Sequence, residues 1–292
     1  MPTILGNLFF LQVFAVPVLQ SNPILWTLNY EVIYYFIFLL IWLIRPRVIT
    51  LVFGSLAIST VGWFMPQLPQ LIPSYAAGGI FWLLGLWLVW KVDPSPTNSN
   101  KFPLVSYFLL LLATNNLNTG LIILKGLGFP NSAPGAVNLS DLALLPICLV
   151  IFSEVTHRRF RGYKWLRLIC FFIPVMNILF LLSIGRLFEN YSWIASAIFT
   201  VLAIALLPIR NSTNILFKLA PIGRISYAFY ILHMPMMKLV HDYFPYQGTI
   251  WSFSLRLLVW FLITIGVSML LELVMQPAVK RKLYQRFYPN KV

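Results

Sequence analysis

ILWTLNYEVIYYFIFLLIWLI, residues 24–44, is the stretch that decides the fold. Glu31 is its one formally charged side chain. As a helix rising 1.5 Å per residue, a run of this length reaches about 30 Å, the depth of bilayer hydrocarbon. A membrane β-strand would instead alternate over about ten residues, and this run is continuously apolar.

Working outward from this first span, Ile24–Ile44, eight further apolar runs follow. They are Val48–Met65, Pro73–Trp90, Phe102–Leu124, Leu139–Ser153, Leu166–Ile184, Tyr191–Pro208, Ile222–Tyr243 and Trp251–Met275. The expected fold class is therefore an all-α integral membrane protein, a polytopic bundle of about nine transmembrane helices forming one domain over residues 1–292. Composition agrees. Of the 292 residues 60% are hydrophobic and 10% charged, too few charges to cover a soluble globule. The fifth span is the shortest and begins near Asp141. The fourth is interrupted by Asn115, Asn116 and Asn118, whose polar groups must face protein or a water-filled cavity.

The net charge of +14 would suggest nucleic acid in a soluble chain. Here its placement excludes that partner. One set of alternate loops holds Arg45 and Arg47, Lys91 and Lys101, then Arg158, Arg159, Arg161, Lys164 and Arg167, then Arg210, Lys218 and Arg224. Lys280, Arg281, Lys282, Arg286 and Lys291 follow in the C-terminal tail. The opposite loops hold only Lys125 and Arg186. Lys238 and Arg256 lie near span ends and snorkel. The positive-inside rule puts the basic loops and the C-terminus in the cytoplasm. Adding or removing one span would scramble the separation.

Residues 1–19 are apolar but rather short to span, with no basic leader or small-residue cleavage site. They read as the outer half of a helix, or as a re-entrant or interfacial piece. Asp93–Lys101, DPSPTNSNK, reads as a short flexible connector. Cys148 and Cys170 fall within spans with no CxxC spacing, which points to small buried apolar groups rather than disulfides or zinc.

Ionisable groups inside hydrocarbon are costly and mark function or pairing. Glu31 lies roughly 10 Å into the first span at 1.5 Å per residue, beside Trp26, Tyr30 and Tyr34. Either this is a site, or it is an aromatic belt with a neutral or paired carboxyl. Ser226, Tyr230 and His233 share one helical face of the eighth span. That face suits hydrogen bonding to a sugar or proton transfer, or else helix packing, with Pro235 kinking the helix. Glu272 is expected to pair with Lys280 or Arg224. The run HRRFRGYK, His157–Lys164, offers Arg158, Arg159 and Arg161 to the phosphates of a nucleotide-like cofactor, or serves topology alone.

At these residues the chain resembles acyltransferase family 3, the membrane-bound O-acyltransferases of bacterial surface polysaccharides. NLFFLQ with PILWTLNYEVIYYFIFLLIWLI is similar to the family's N-L-x-F-L-Q … L-W-S-L-x-x-E-x-x-F-Y segment. GRISYAFYILHMPMM is similar to its G-x-I-S-Y-x-L-Y-L-x-H-x-P block, and ELVMQPAVKR to its closing E-x-P with basic residues. The three occur in the family's order and cover nearly the whole chain. The family pattern also has an upstream helix with Arg and His and an R-x-x-R loop. No His precedes His157 and no R-x-x-R occurs near the start, so the chain is expected to be N-terminally truncated relative to the family, without the helix that carries the family's presumed catalytic His, which counts against activity of the chain alone.

The resemblance implies transfer of an acyl group from acyl-CoA, with acetyl-CoA the expected donor and no metal, to a hydroxyl of a carbohydrate or lipid-linked glycan. Glu31 matches the motif glutamate and is expected, with His233, to be catalytic. Trp26, Tyr30, Ser226 and Tyr230 are expected to bind substrate. The implied location is the bacterial inner membrane, among its lipids. A transporter or flippase of an amphiphilic solute, and a non-catalytic membrane partner, are the competing readings.

Overall fold

The computed structural model describes residues 2–12, 14–65, 67–94, 102–130, 136–189, 191–208, 218 and 220–287. Most of the connector expected at Asp93–Lys101 lies outside them, as do Arg210 and Lys291. The described residues form helices and no β-strand. We label the α-helices α1 Pro2–Leu8, α2 Leu25–Ile44, α3 Val48–Phe64, α4 Leu71–Lys91, α5 Leu104–Asn116, α6 Thr119–Gly126, α7 Leu145–Val155, α8 Tyr163–Ser183, α9 Ser192–Ala205, α10 Ser226–Tyr243, α11 Ile250–Met269 and α12 Gln276–Phe287. A 3₁₀ turn, Leu139–Leu144, precedes α7, and a π-helical segment, Leu270–Met275, joins α11 to α12.

Every expected span is found as helix, but the expected nine crossings are not supported. Among the described residues four helices are long and apolar enough to cross a membrane: α2, α4, α8 and the continuous Ile250–Phe287. The count reaches five if α5 and α6, bent by 50° to each other, form one broken span. Length is the reason for α3, α7 and α9, whereas the 18-residue α10 is long enough but too polar, carrying His233, Lys238, His241 and Asp242. The 17 residues of α3 and 14 of α9 reach about 26 and 21 Å at 1.5 Å per residue, short of the ~30 Å core. In α7 an Asn138–Asp141 capping box consumes the first turns as 3₁₀, leaving 11 residues of α-helix.

The chain falls into two compact units, Met1–Phe36 with Leu216–Val292, and Ile37–Ile215. In the second unit, α3 packs on α4 where Gly62 meets Pro73. A Cβ on Gly62 would lie 2.4 Å from the Pro73 ring, so the approach requires glycine. Ser59 donates to the Pro73 carbonyl at 3.1 Å beside it. The unit's core gathers Tyr107, Leu110, Ile147, Val150, Cys170 and Ala203 from α5, α7, α8 and α9.

The α5–α6 break falls at the asparagines. Asn118 takes a left-handed conformation (φ 48°), which asparagine tolerates better than most residues. Ending α5 there orphans its last carbonyls. Ser196 of α9 donates to Ala113 O at 2.8 Å and Thr119 to Thr114 O at 3.1 Å, and Asn177 of α8 donates to the Thr119 hydroxyl at 3.0 Å. Buried hydroxyls thus satisfy the break, while Asn115 and Asn118 themselves are exposed.

In the first unit, Pro277 lacks an N–H and crowds the carbonyl four residues back. The π segment just before it absorbs that disruption and lets the helix continue to Phe287.

Candidate functional site

The first unit brings residues 7–12, 22–31 and 226–235 together. After α1 the chain is irregular, with Phe10 at φ 58°. Irregular backbone shielded from water must find internal partners. Side-chain amides supply them. Asn7 donates to Thr3 O at 2.8 Å and Pro17 O at 2.9 Å and accepts from Leu19 N–H at 3.3 Å. Gln12 donates to Leu25 O at 2.7 Å, and Asn29 of α2 donates to Phe10 O. These amides are buried. Residues 9–12 and 14–19 therefore form an irregular piece hydrogen-bonded to α1 and to the start of α2.

Pro235 ties α10 to this piece. Lacking an N–H, it leaves the Ile231 carbonyl without its helical donor. The Asn22 amide donates there at 2.9 Å, across 209 residues of sequence. One turn earlier Tyr230 OH donates to Thr27 Oγ1 at 3.1 Å. The oxygens Gln12 Oε1 and Asn22 Oδ1 are buried and have no hydrogen-bond partner among the described residues.

His233 is half-buried on α10. Its Nδ1 lies 2.6 Å from Tyr230 O, and a carbonyl oxygen only accepts, so Nδ1 carries hydrogen. In the neutral ring Nε2 is then the lone-pair nitrogen. The ring stacks on Phe229 at 6.4 Å between centroids, and the His233 carbonyl accepts from Trp260 Nε1 at 2.8 Å, so α11 fixes this turn from behind. Ser226, the first residue of α10, donates to Gly223 O at 2.7 Å. Its hydroxyl acts locally, at the helix start.

Trp26 packs edge-on to Tyr30 at 5.2 Å, and Tyr30 to Tyr34 at 6.1 Å. Tyr30 and Tyr34 are buried, which places them inside the protein rather than in a belt at its surface. Glu31 is exposed. Its carboxylate, with that of Glu272 and the Tyr35 phenol, acts electrostatically on Tyr227 of α10. Glu272, expected to pair with Lys280 or Arg224, forms no ion pair among the described residues. Glu31 thus groups with the Tyr227 face of α10. A 430 Å³ cavity of this unit, lined by Met237, Tyr246, Arg256 and Trp260 among others, includes neither Glu31 nor His233.

Arg158, Arg159 and Arg161 belong to the second unit. Arg158 donates to the Val92 carbonyl just past α4 and receives the Ser153 hydroxyl on its own carbonyl. Arg159 pairs with Glu154 at 3.0 Å, and Tyr163 OH also donates to that carboxylate. Arg161 is exposed. Next to this pair Arg167 donates to Tyr107 OH at 3.1 Å and lies over the rings of Phe102, Tyr107 and Tyr163 at 5.5–5.9 Å. Glu154, only 4% exposed, anchors Arg159 of the basic run and accepts from Tyr163. Sequence reasoning passed over it. Its signal is position: a lone carboxylate three residues before the start of HRRFRGYK.

Comparison of the chain with protein-family models, with curated proteins and with solved structures returns no match.

Proposed function

We propose that this chain is a bacterial inner-membrane O-acyltransferase-like protein, with its C-terminus in the cytoplasm. It moves an acyl group from acyl-CoA to a hydroxyl of a carbohydrate or lipid-linked glycan. The resemblance to acyltransferase family 3 suggests the chemistry. The observation that carries the reading is that NPILWTLNYE meets SYAFYILHMP through Asn22 to Ile231 and Thr27 to Tyr230, and meets NLFFLQ through Gln12 to Leu25 and Asn29 to Phe10, all in one unit.

In this reading His233 Nε2 takes the proton of the acceptor hydroxyl, its ring held by the Tyr230 carbonyl. The hydroxyl oxygen attacks the thioester carbonyl carbon. The C–S bond breaks, the new C–O ester bond remains, and the thiolate leaves with the proton from His233. Glu31 orients the acceptor beside Tyr227.

Membranes containing the full chain are incubated with radiolabelled acetyl-CoA and endogenous glycan. Label should enter the glycan fraction, and His233→Gln should cut the rate by about 10² or more, the usual worth of a positioned base. Glu31→Gln should raise KM for the acceptor more than it lowers kcat. Absence of transfer in the parent chain, or equal rates in both variants, would end this reading and leave transport as the alternative.

A further inference from the structure

The second unit contains a cavity that the acyl-transfer reading leaves unused. It has a volume of about 730 Å³, and its lining includes Trp42 and Arg45 at the end of α2, Arg47 before α3, and Trp87, Trp90 and Lys91 at the end of α4. No acidic side chain lines it, and none of its three cations is in an ion pair among the described residues. We propose that this cavity binds a phosphate group carried by a ligand with apolar or aromatic surface. Two sources have that chemistry: an anionic phospholipid headgroup, or a soluble nucleotide phosphate such as the 3′,5′-bisphosphate end of coenzyme A.

Three features support a built site. A buried cluster of Ile41, Val48 and Leu83, with Leu51, Leu86 and Trp87 packed on it, joins the same three helices and shares Val48 and Trp87 with the cavity lining. The rim is braced from outside: Arg158 holds the Val92 carbonyl next to Lys91, and Phe160 meets Trp87 edge-on at 6.0 Å. Arg45 occupies a left-handed conformation (φ 54°) as α2 ends, where glycine is the inexpensive residue. The chain keeps a guanidinium there despite that strain.

Positive-inside topology and interfacial tryptophans account for these residue types at helix ends. They do not account for three cations without an ion pair among the described residues and three indoles around one concavity. Arginine presents paired donors that match phosphate oxygens, and an indole presents an apolar face with a polar edge. Mutual repulsion among the cations is relieved when a multiply charged anion enters. The inference stands apart from the acyl-transfer reading; the nucleotide outcome would locate its donor, and the lipid outcome would leave that reading untouched.

The test uses the full chain in nanodiscs of phosphatidylcholine, titrated with adenosine 3′,5′-bisphosphate. In parallel, the chain purified from phosphatidylglycerol-containing membranes is examined by native mass spectrometry for retained lipid. Variants are Arg45→Gln with Arg47→Gln, Lys91→Gln, the charge-keeping Arg47→Lys, and the tail control Arg281→Gln with Lys282→Gln. The cavity variants should weaken one ligand tenfold or more, with Arg47→Lys intermediate and the tail control unchanged. Loss of nucleotide binding identifies the soluble source, and loss of retained phosphatidylglycerol the lipid. If both ligands stay within twofold of parent in folded cavity variants, or the tail control weakens them equally, the proposal is wrong. Thermal unfolding of each variant verifies folding, and Arg47→Lys carries the test should the glutamine variants misfold.

Discussion

Asn22 and Pro235 show how one residue creates the need that another meets. Proline removes a helical donor, and an amide from a distant segment replaces it at 2.9 Å. Asn22→Ala should therefore destabilise by about 1–3 kcal/mol, the cost of an unsatisfied buried carbonyl. In a Pro235→Ala background the helix regains its own N–H, and the same Asn22→Ala change should cost measurably less. A double-mutant cycle by thermal unfolding reads the coupling, and additive effects would refute the link. Glu154 is a second case. Removing Arg159 leaves a carboxylate that is 4% exposed with Tyr163 OH as its other direct donor. Breaking a buried pair by removing one partner is costly, but the Arg159 side chain is 35% exposed, so water shares the loss. Arg159→Ala should cost about 2 kcal/mol. Arg159→Ala with Glu154→Gln should recover part of it in the same unfolding assay.

At the scale of elements, bends and close approaches decide the packing. The break between α5 and α6 delivers Gly120 onto the 3₁₀ turn Leu139–Leu144. A Cβ there would lie 1.7 Å from the Ser140 carbonyl oxygen, a backbone atom that cannot rotate aside. Gly120→Ala should cost about 3 kcal/mol or lower the yield of folded protein sharply. Gly126→Ala, where a Cβ meets nothing within 4 Å, should be close to neutral, and equal effects would show that the approach is looser than described. The asparagines at 115, 116 and 118 announced this break, because polar side chains interrupt an apolar run at depth. The hydroxyls that satisfy it, Ser196 and Thr119, carry no such mark in the sequence, since their partners are backbone carbonyls of another segment.

Across the whole molecule many large apolar side chains are exposed while small polar ones are buried beside the apolar core. Leu43, Trp165, Val201, Trp251 and Leu262 are exposed, while Ser59, Ser74, Ser106, Ser153, Ser196, Thr264 and Ser268 are buried. Lipid solvates the first set, and helix contacts through small polar residues use the second. Orientation is testable at this scale. Single cysteines at Gln247 and Lys282, in a chain with Cys148 and Cys170 replaced by alanine, should label oppositely with a membrane-impermeant maleimide. Gln247→Cys should react in intact cells, and Lys282→Cys only after permeabilisation. The reverse pattern would overturn the positive-inside assignment.

The sequence by itself determined the all-helical class, the helix positions to within a few residues and the weak point at the asparagines. These follow from local properties: apolar run length, proline and asparagine placement, and charge in loops. It overcounted the crossings, because hydropathy does not register where a capping box or a bend shortens a helix. Tertiary structure alone decided that Asn22 serves the Pro235 turn and that Arg45 and Arg47 share one cavity with Lys91. Both depend on residues distant in sequence becoming neighbours, and no local pattern records which distant group a freed carbonyl or a loop cation will meet.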